Sequence, residues 1–159
     1  MAAPIVTYYD EKGTTQLTEW NIGEIDAGTE SDHLKLTVWN NKGGSEAVSH
    51  MKNVSVTVVN ELGAETGGNG DVAVAGAWIH VKVNGGEDTP LGGSANTAKV
   101  NAVGVDSDTD GYIIKGDAND GTIANSTVNY ANYELWAVIP PNAPEGDKPV
   151  RIRTSYSYT

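Results

Sequence analysis

The chain contains neither cysteine nor phenylalanine among its 159 residues. Without cysteine there is no disulfide and no thiolate nucleophile, and the composition fits assembly in a reducing cytosol. Basic residues are also scarce: ten Lys and Arg stand against 21 Asp and Glu, a formal net charge of −11. A nucleic-acid binder needs clustered cations to displace counterions from phosphates. Here the lysines are scattered and only Arg151 and Arg153 share a strand face, so no nucleic acid is expected as a partner. The opening residues lack the basic and long apolar regions of a secretory leader, and no apolar run approaches membrane-spanning length. Neither general export nor membrane insertion is expected. Sustained helical periodicity is missing as well, and 19 glycines punctuate the chain throughout.

What is present alternates. Val150, Ile152, Thr154, Tyr156 and Tyr158 are separated by Arg151, Arg153, Ser155 and Ser157, a period of two that turns one face inward and the other to water. A similar run precedes it over residues 130–139, and Pro140, Pro141, Pro144 and Gly146 mark residues 140–147 as the connection. These two runs are predicted to close the fold as a strand pair. Further strands are predicted at 5–9, 16–20, 34–39, around Val54, Val56 and Val58, and at 78–83, with weaker ones at 99–105 and 112–115. Residues 60–70 read as a loop. Short strands with Gly/Asn turns predict an all-β protein, an immunoglobulin-like antiparallel β-sandwich in one domain spanning 1–159. Residues 1–9 form an N-terminal arm or first strand. Residues 84–126, rich in Gly, Asn and Asp, form a long insertion that should contain at least one hairpin.

Candidate chemistry is thin. Asp106, Asp108 and Asp110 followed by Gly111 have the spacing of a calcium loop, with Asp117 at its twelfth position. The twelfth ligand is the shorter Asp rather than Glu and no helices flank the loop, so a solvated turn is the alternative. Asn41 to Gly44 and Asn119 to Gly121 read as turns that need positive φ, not as phosphate cradles. His33, His50 and His80 show no metal-ligand spacing; His80 is expected to be a partly exposed, uncoordinated ring. No serine sits in G-x-S-x-G, and no nucleophile, base and oxyanion set converges, so no enzymatic activity and no cofactor beyond calcium is expected. The four Trp and seven Tyr suit a sandwich core and rim, or stacking against sugars.

Two stretches carry a family resemblance. The first comprises Trp20, Gly23, Asp26, Ala27 and Gly28, then the strand from Leu34 to Asn41 with Gly43 and Gly44. The second comprises Gly116, Asn119, Asp120, Gly121 and Thr122, then Tyr133 to Pro140, Ala143, Gly146, Tyr156 and Tyr158. Together they resemble the opening and ending of small β-sandwich structural proteins of tailed bacteriophages and prophages, over about two-thirds of the chain. Residues 62–115 match nothing in that pattern. The resemblance implies a non-enzymatic virion protein assembled in the host cytoplasm. Its expected role is capsid decoration, binding the outer shell through the major capsid protein, with copies of itself as a second expected partner. A neck or tail accessory, or a carbohydrate- or receptor-binding module, is the alternative. Candidate contact residues are Ile5, Tyr8 and Tyr9 in the arm and Arg151, Arg153, Tyr156 and Tyr158 in the last strand. Residues 1–32 hold seven acids and one lysine, a surplus that could face a basic rim.

Overall fold

The computed structural model describes residues 1–93 and 95–159. Ser94, inside the expected insertion, lies outside the described residues. The chain forms β1 (Val6–Asp10), β2 (Leu34–Asn40), β3 (Lys52–Asn60), α1 (Asp71–Ala75), β4 (Ile79–Val83), β5 (Thr89–Leu91), β6 (Ala98–Lys99), α2 (Ser107–Asp110), β7 (Tyr130–Ala137) and β8 (Val150–Ser157). Among the described residues the strands make two antiparallel sheets, one ordered β1-β2-β7-β4-β5 and one ordered β6-β3-β8. The protein is an all-β sandwich.

The core follows from alternation. Val54, Val56 and Val58 point inward from β3 and meet Leu36 and Val38 of β2, Val81 of β4, Leu91 of β5 and Tyr133 and Leu135 of β7. β-branched side chains fit a pleated, half-buried surface, and each fully buried Val, Leu or Ile contributes roughly 1.5–3 kcal/mol as an upper estimate. Thr154 supplies a polar link across the layers. Its hydroxyl hydrogen-bonds the phenols of Tyr8 (2.8 Å) and Tyr133 (2.9 Å), so one side chain of the small sheet holds two strands of the large one.

The closing strands do not pair with each other. β7 lies between β2 and β4 with both edges taken, so the chain crosses through Pro140, Pro141, Pro144 and Gly146 to the other sheet. There β8 pairs with β3, from Asn60 opposite Val150 to Lys52 opposite Ser157. The inward and outward alternation read from the sequence is retained in β8.

Other expectations shift for local reasons. The strand predicted at 16–20 is reduced to one bridge, Tyr9 to Gln16, with the Leu17 amide donating to the Tyr8 carbonyl. Beyond it, Trp20 and Ile22 pack on the core from irregular backbone. The runs at 99–105 and 112–115 shrink to β6 and to a bridge between Ile114 and Met51. Within 84–126, β5 joins the large sheet and β6 the small one, so the segment contributes to both layers. The β4–β5 connection begins with a tight turn at Asn84 (φ 51°) and Gly85 (φ 71°), closed by the Gly86 amide on the Val83 carbonyl. Two successive positive φ values suit Asn-Gly and match the twist of a hairpin.

Candidate functional site

A cluster of asparagines sets the geometry of one pole of the sandwich. Asn40, fully buried at the end of β2, accepts from the Ile5 amide (3.1 Å) and donates to the carbonyls of Ser49 (3.0 Å) and Ile114 (3.3 Å). Asn41 adopts φ 62° and donates to the Glu46 and Gly116 carbonyls. Asn129 reaches the carbonyls of Lys115 and Asp117. Asn119 accepts from the Gly43 and Gly121 amides while donating to the Asn41 carbonyl. Buried amides stay only where both ends are satisfied. The turns expected at 41–44 and 119–121 are present, with Gly43 at φ 68° and Gly121 at φ 76°. Their bonding to each other had no sequence signal.

This cluster draws two distant segments together at Ser49. The Ser49 amide donates to the Ala2 carbonyl (2.8 Å), and its hydroxyl donates to the Thr159 carbonyl (3.4 Å). The segment leading into β1 and the residues following β8 therefore meet at one place. Of the large apolar side chains exposed among the described residues, Met1, Ile5 (53 %) and Tyr158 (50 %) belong to these two segments. Tyr156 lies half-buried against the core, its ring centroid 6.2 Å from that of Tyr158. Exposed large apolar groups on chain segments fixed by hydrogen bonds are a feature that protein interfaces use.

The candidate contact residues thus divide. Ile5, Tyr156 and Tyr158 lie on the two segments that meet at Ser49. Tyr8 turns inward, its hydroxyl spent on Thr154, and burial pushes its phenol above the ordinary value. Tyr9 lies under the Lys42 ammonium, 4.5 Å from the ring centroid, and Lys42 also covers Trp39. Arg151 and Arg153 are exposed on the outer face of β8, where the Arg153 guanidinium donates to the Gly63 carbonyl.

The four acids predicted as a calcium loop do not converge. The Asp106 carboxylate caps α2 by accepting from the Asp108 amide (2.9 Å), while Asp117 lies 4.0 Å from the Nε2 of His50. Among the described residues no group of three or more His, Cys, Asp or Glu side chains is placed to hold a metal ion. A short helix occupies 107–110 because the Asp-Ser-Asp string serves as an N-cap, an equally good use of an Asp before a turn.

The outer face of the large sheet carries a second cluster. His33 stacks on Trp136 at 4.3 Å with planes 6° apart, and His80 packs on the same indole at 5.6 Å. His80 is partly exposed, and its Nδ1 lies 2.6 Å from Asp88. A cleft of about 440 Å³ lies nearby, lined by Asp10, Glu11, Lys12, His33 and Lys35. Asp10 is already engaged there: the Thr14 amide and hydroxyl bond its carboxylate and hold it below the usual range. Three of the four tryptophans, Trp39, Trp78 and Trp136, are buried, and Trp20 is packed against the core. Flat, solvent-facing indole platforms for a sugar ring are therefore not formed by these three.

The fold is an all-β sandwich with Met1, Ile5 and Tyr158 exposed on the two segments that meet at this pole. Compared with protein-family models, curated proteins and solved structures, the chain matches none of them. Among the described residues no helix is long and apolar enough to cross a membrane.

Proposed function

We propose that this protein is a non-enzymatic structural component of a tailed-bacteriophage virion, a capsid decoration protein that binds the outside of the shell formed by the major capsid protein. The observation that carries the reading is the pole at Ser49, where Ile5 and Tyr158 are exposed on segments anchored by Asn40 and Ser49. Anchoring matters energetically, because a pre-ordered apolar segment loses little conformational entropy when it docks. The resemblance of residues 20–44 and 116–158 to small phage β-sandwich proteins supplies the biological setting. Net acidity favours solubility of a protein made in many copies.

The test is co-sedimentation of the purified protein with undecorated shells. Decoration requires binding at a stoichiometry that follows the capsid lattice; binding at one vertex only would place the protein at the neck or tail, and no binding would sink the virion reading. Ile5→Asp places a charge on the exposed anchor. It is expected to abolish shell binding while leaving the melting midpoint close to that of the parent, since the side chain is half exposed.

A further inference from the structure

The long edges of the two sheets are treated unequally. β1 is covered by the returning chain, through Asp10 to Thr15 and Leu17 to Tyr8 hydrogen bonds. β5 and β6 are three and two residues long, and β5 carries Pro90. β8 is eight residues long, pairs with β3 on one side only, and among the described residues no backbone–backbone hydrogen bond reaches its other edge, where the Tyr8 phenol lies against the Thr154 backbone. Such an edge is a template for another strand.

Its hydrogen-bonding parity can be read from β3. Val54 exchanges bonds with Val100 and Tyr112 on the side away from β8, so by alternation Ser55, Thr57 and Val59 face β8 and bond Ser155, Arg153 and Arg151. The amides and carbonyls of Val150, Ile152, Thr154 and Tyr156 therefore point to the open edge. Their side chains point into the sandwich, while Arg151, Arg153, Ser155 and Ser157 are exposed on the outer face.

We infer that the occupant of this edge is a second copy of the same strand, joined antiparallel about a two-fold axis at Thr154. Parity puts the axis at a residue of β8, overlap of the two strands keeps it near their middle, at Ile152, Arg153 or Thr154, and charge selects among those. An axis at Ile152 sets Arg151 against Arg153, and an axis at Arg153 sets that residue against itself; like charges directly opposite are destabilising. An axis at Thr154 sets Arg153 against Ser155 of the second copy and Arg151 against Ser157 of the second copy. On the inner face it pairs Ile152 with Tyr156 and Val150 with Tyr158, the aromatic and β-branched pairs that stabilise antiparallel ladders. The Arg153 guanidinium is drawn toward Gly63, on the β3 side, which leaves the open edge to the small serine. Pairing joins two three-stranded sheets into one. It consumes both long open edges, so the assembly closes as a dimer and does not grow.

Sedimentation of the full chain tests this without any shell, so its outcome is independent of the decoration reading. A concentration-dependent monomer–dimer equilibrium is expected. Ser155→Arg opposes two arginine pairs per dimer and should weaken it about tenfold, whereas Ser155→Glu should tighten it. Because the chain has no cysteine, register is readable directly. A mixture of Arg153→Cys and Ser155→Cys proteins should cross-link by disulfide faster than either protein alone. A monomer at every concentration, a dimer indifferent to both Ser155 substitutions, or equal cross-linking by the single proteins would overturn the inference. The first of these would leave the edge to a strand from a different protein.

Discussion

The Thr154 hydroxyl sits between two phenols of the opposite sheet, and a hydroxyl has the one donor and two acceptor sites needed to serve both. Tyr133 is fully buried and its phenol is held well above its ordinary value, first by desolvation. Replacing Thr154 by Val keeps the shape but orphans that buried hydroxyl. The expected cost is about 1–3 kcal/mol, larger than for Tyr8→Phe, which leaves Thr154 and Tyr133 still paired. Urea melts of the two variants check the order, and equal costs would refute the bridging role. Asp120 gives a pH prediction. Its carboxylate accepts first from the Asn125 amide, then from the Thr122 hydroxyl and backbone amide, and its pKa falls to about 2. A carboxyl whose pKa is lower folded than unfolded stabilises the fold above its unfolded value, near 3.9, and loses that contribution as pH falls through the folded value. The stability gap between the parent and Asp120→Asn should therefore be constant above about pH 5 and close between about pH 4 and 2. A gap unchanged down to pH 2 would contradict this. Sequence reading located the Asn119–Asp120–Gly121 turn but not this bonding, because a turn residue's identity does not reveal which amide or carbonyl it will meet.

Elements were legible where apolar residues alternate without interruption. β2, β3, β4 and β8 each keep a strict inward row, and their existence follows from period two alone. The segment at 16–20 was misread because Leu17, Trp20 and Ile22 bury their side chains without joining a ladder. Burial and strand formation coincide only where a partner edge is open. The same rule explains β7 and β8: adjacency in sequence suggested a pair, but β7 has no open edge left. The helices escaped notice for their shortness, each being one turn that caps a loop. The entry to α1 gives a prediction at this scale. A Cβ on Gly70 would lie 1.9 Å from the Pro149 carbonyl oxygen, at the point where the chain enters β8. Backbone on both sides leaves no flexible side chain to yield. Gly70→Ala should force α1 and the start of β8 apart and destabilise by about 1–3 kcal/mol, seen as a lower urea midpoint at unchanged slope. An unchanged midpoint would mean that the two segments are not in fixed contact.

For the whole molecule, the two proposed ways of meeting a partner use different groups of one sandwich, though Tyr156 and Tyr158 belong to both. The pole at Ser49 offers side chains, and the open edge of β8 offers backbone. The candidate contacts were half legible in the sequence: Ile5 in the arm and Tyr158 at the end of the last alternating run could be suspected, whereas the inward turn of Tyr8 depended on a threonine 146 residues away. The pole itself was not legible, since it exists only because Asn40, itself buried, collects amides and carbonyls from three separate segments. This division of labour predicts that stability and partner binding can be uncoupled. Residues 1–4 contribute one backbone bond to the rest of the fold, from the Ser49 amide to the Ala2 carbonyl, and are exposed apart from a half-buried Pro4. Their removal should cost about 1 kcal/mol, a fall of roughly 2–4 °C in the melting midpoint for a chain of this size. The core, the Thr154 bridge and β8 are untouched, so the circular dichroism spectrum and the monomer–dimer equilibrium should remain those of the full chain. Shell binding should fall, because exposed Met1 is lost and Ile5, still bonded to Asn40 and Asn41, becomes a charged chain end. A shortened protein that still binds shells with full affinity would move the docking surface away from this pole, and a large fall in the melting midpoint would show that the segment belongs to the core.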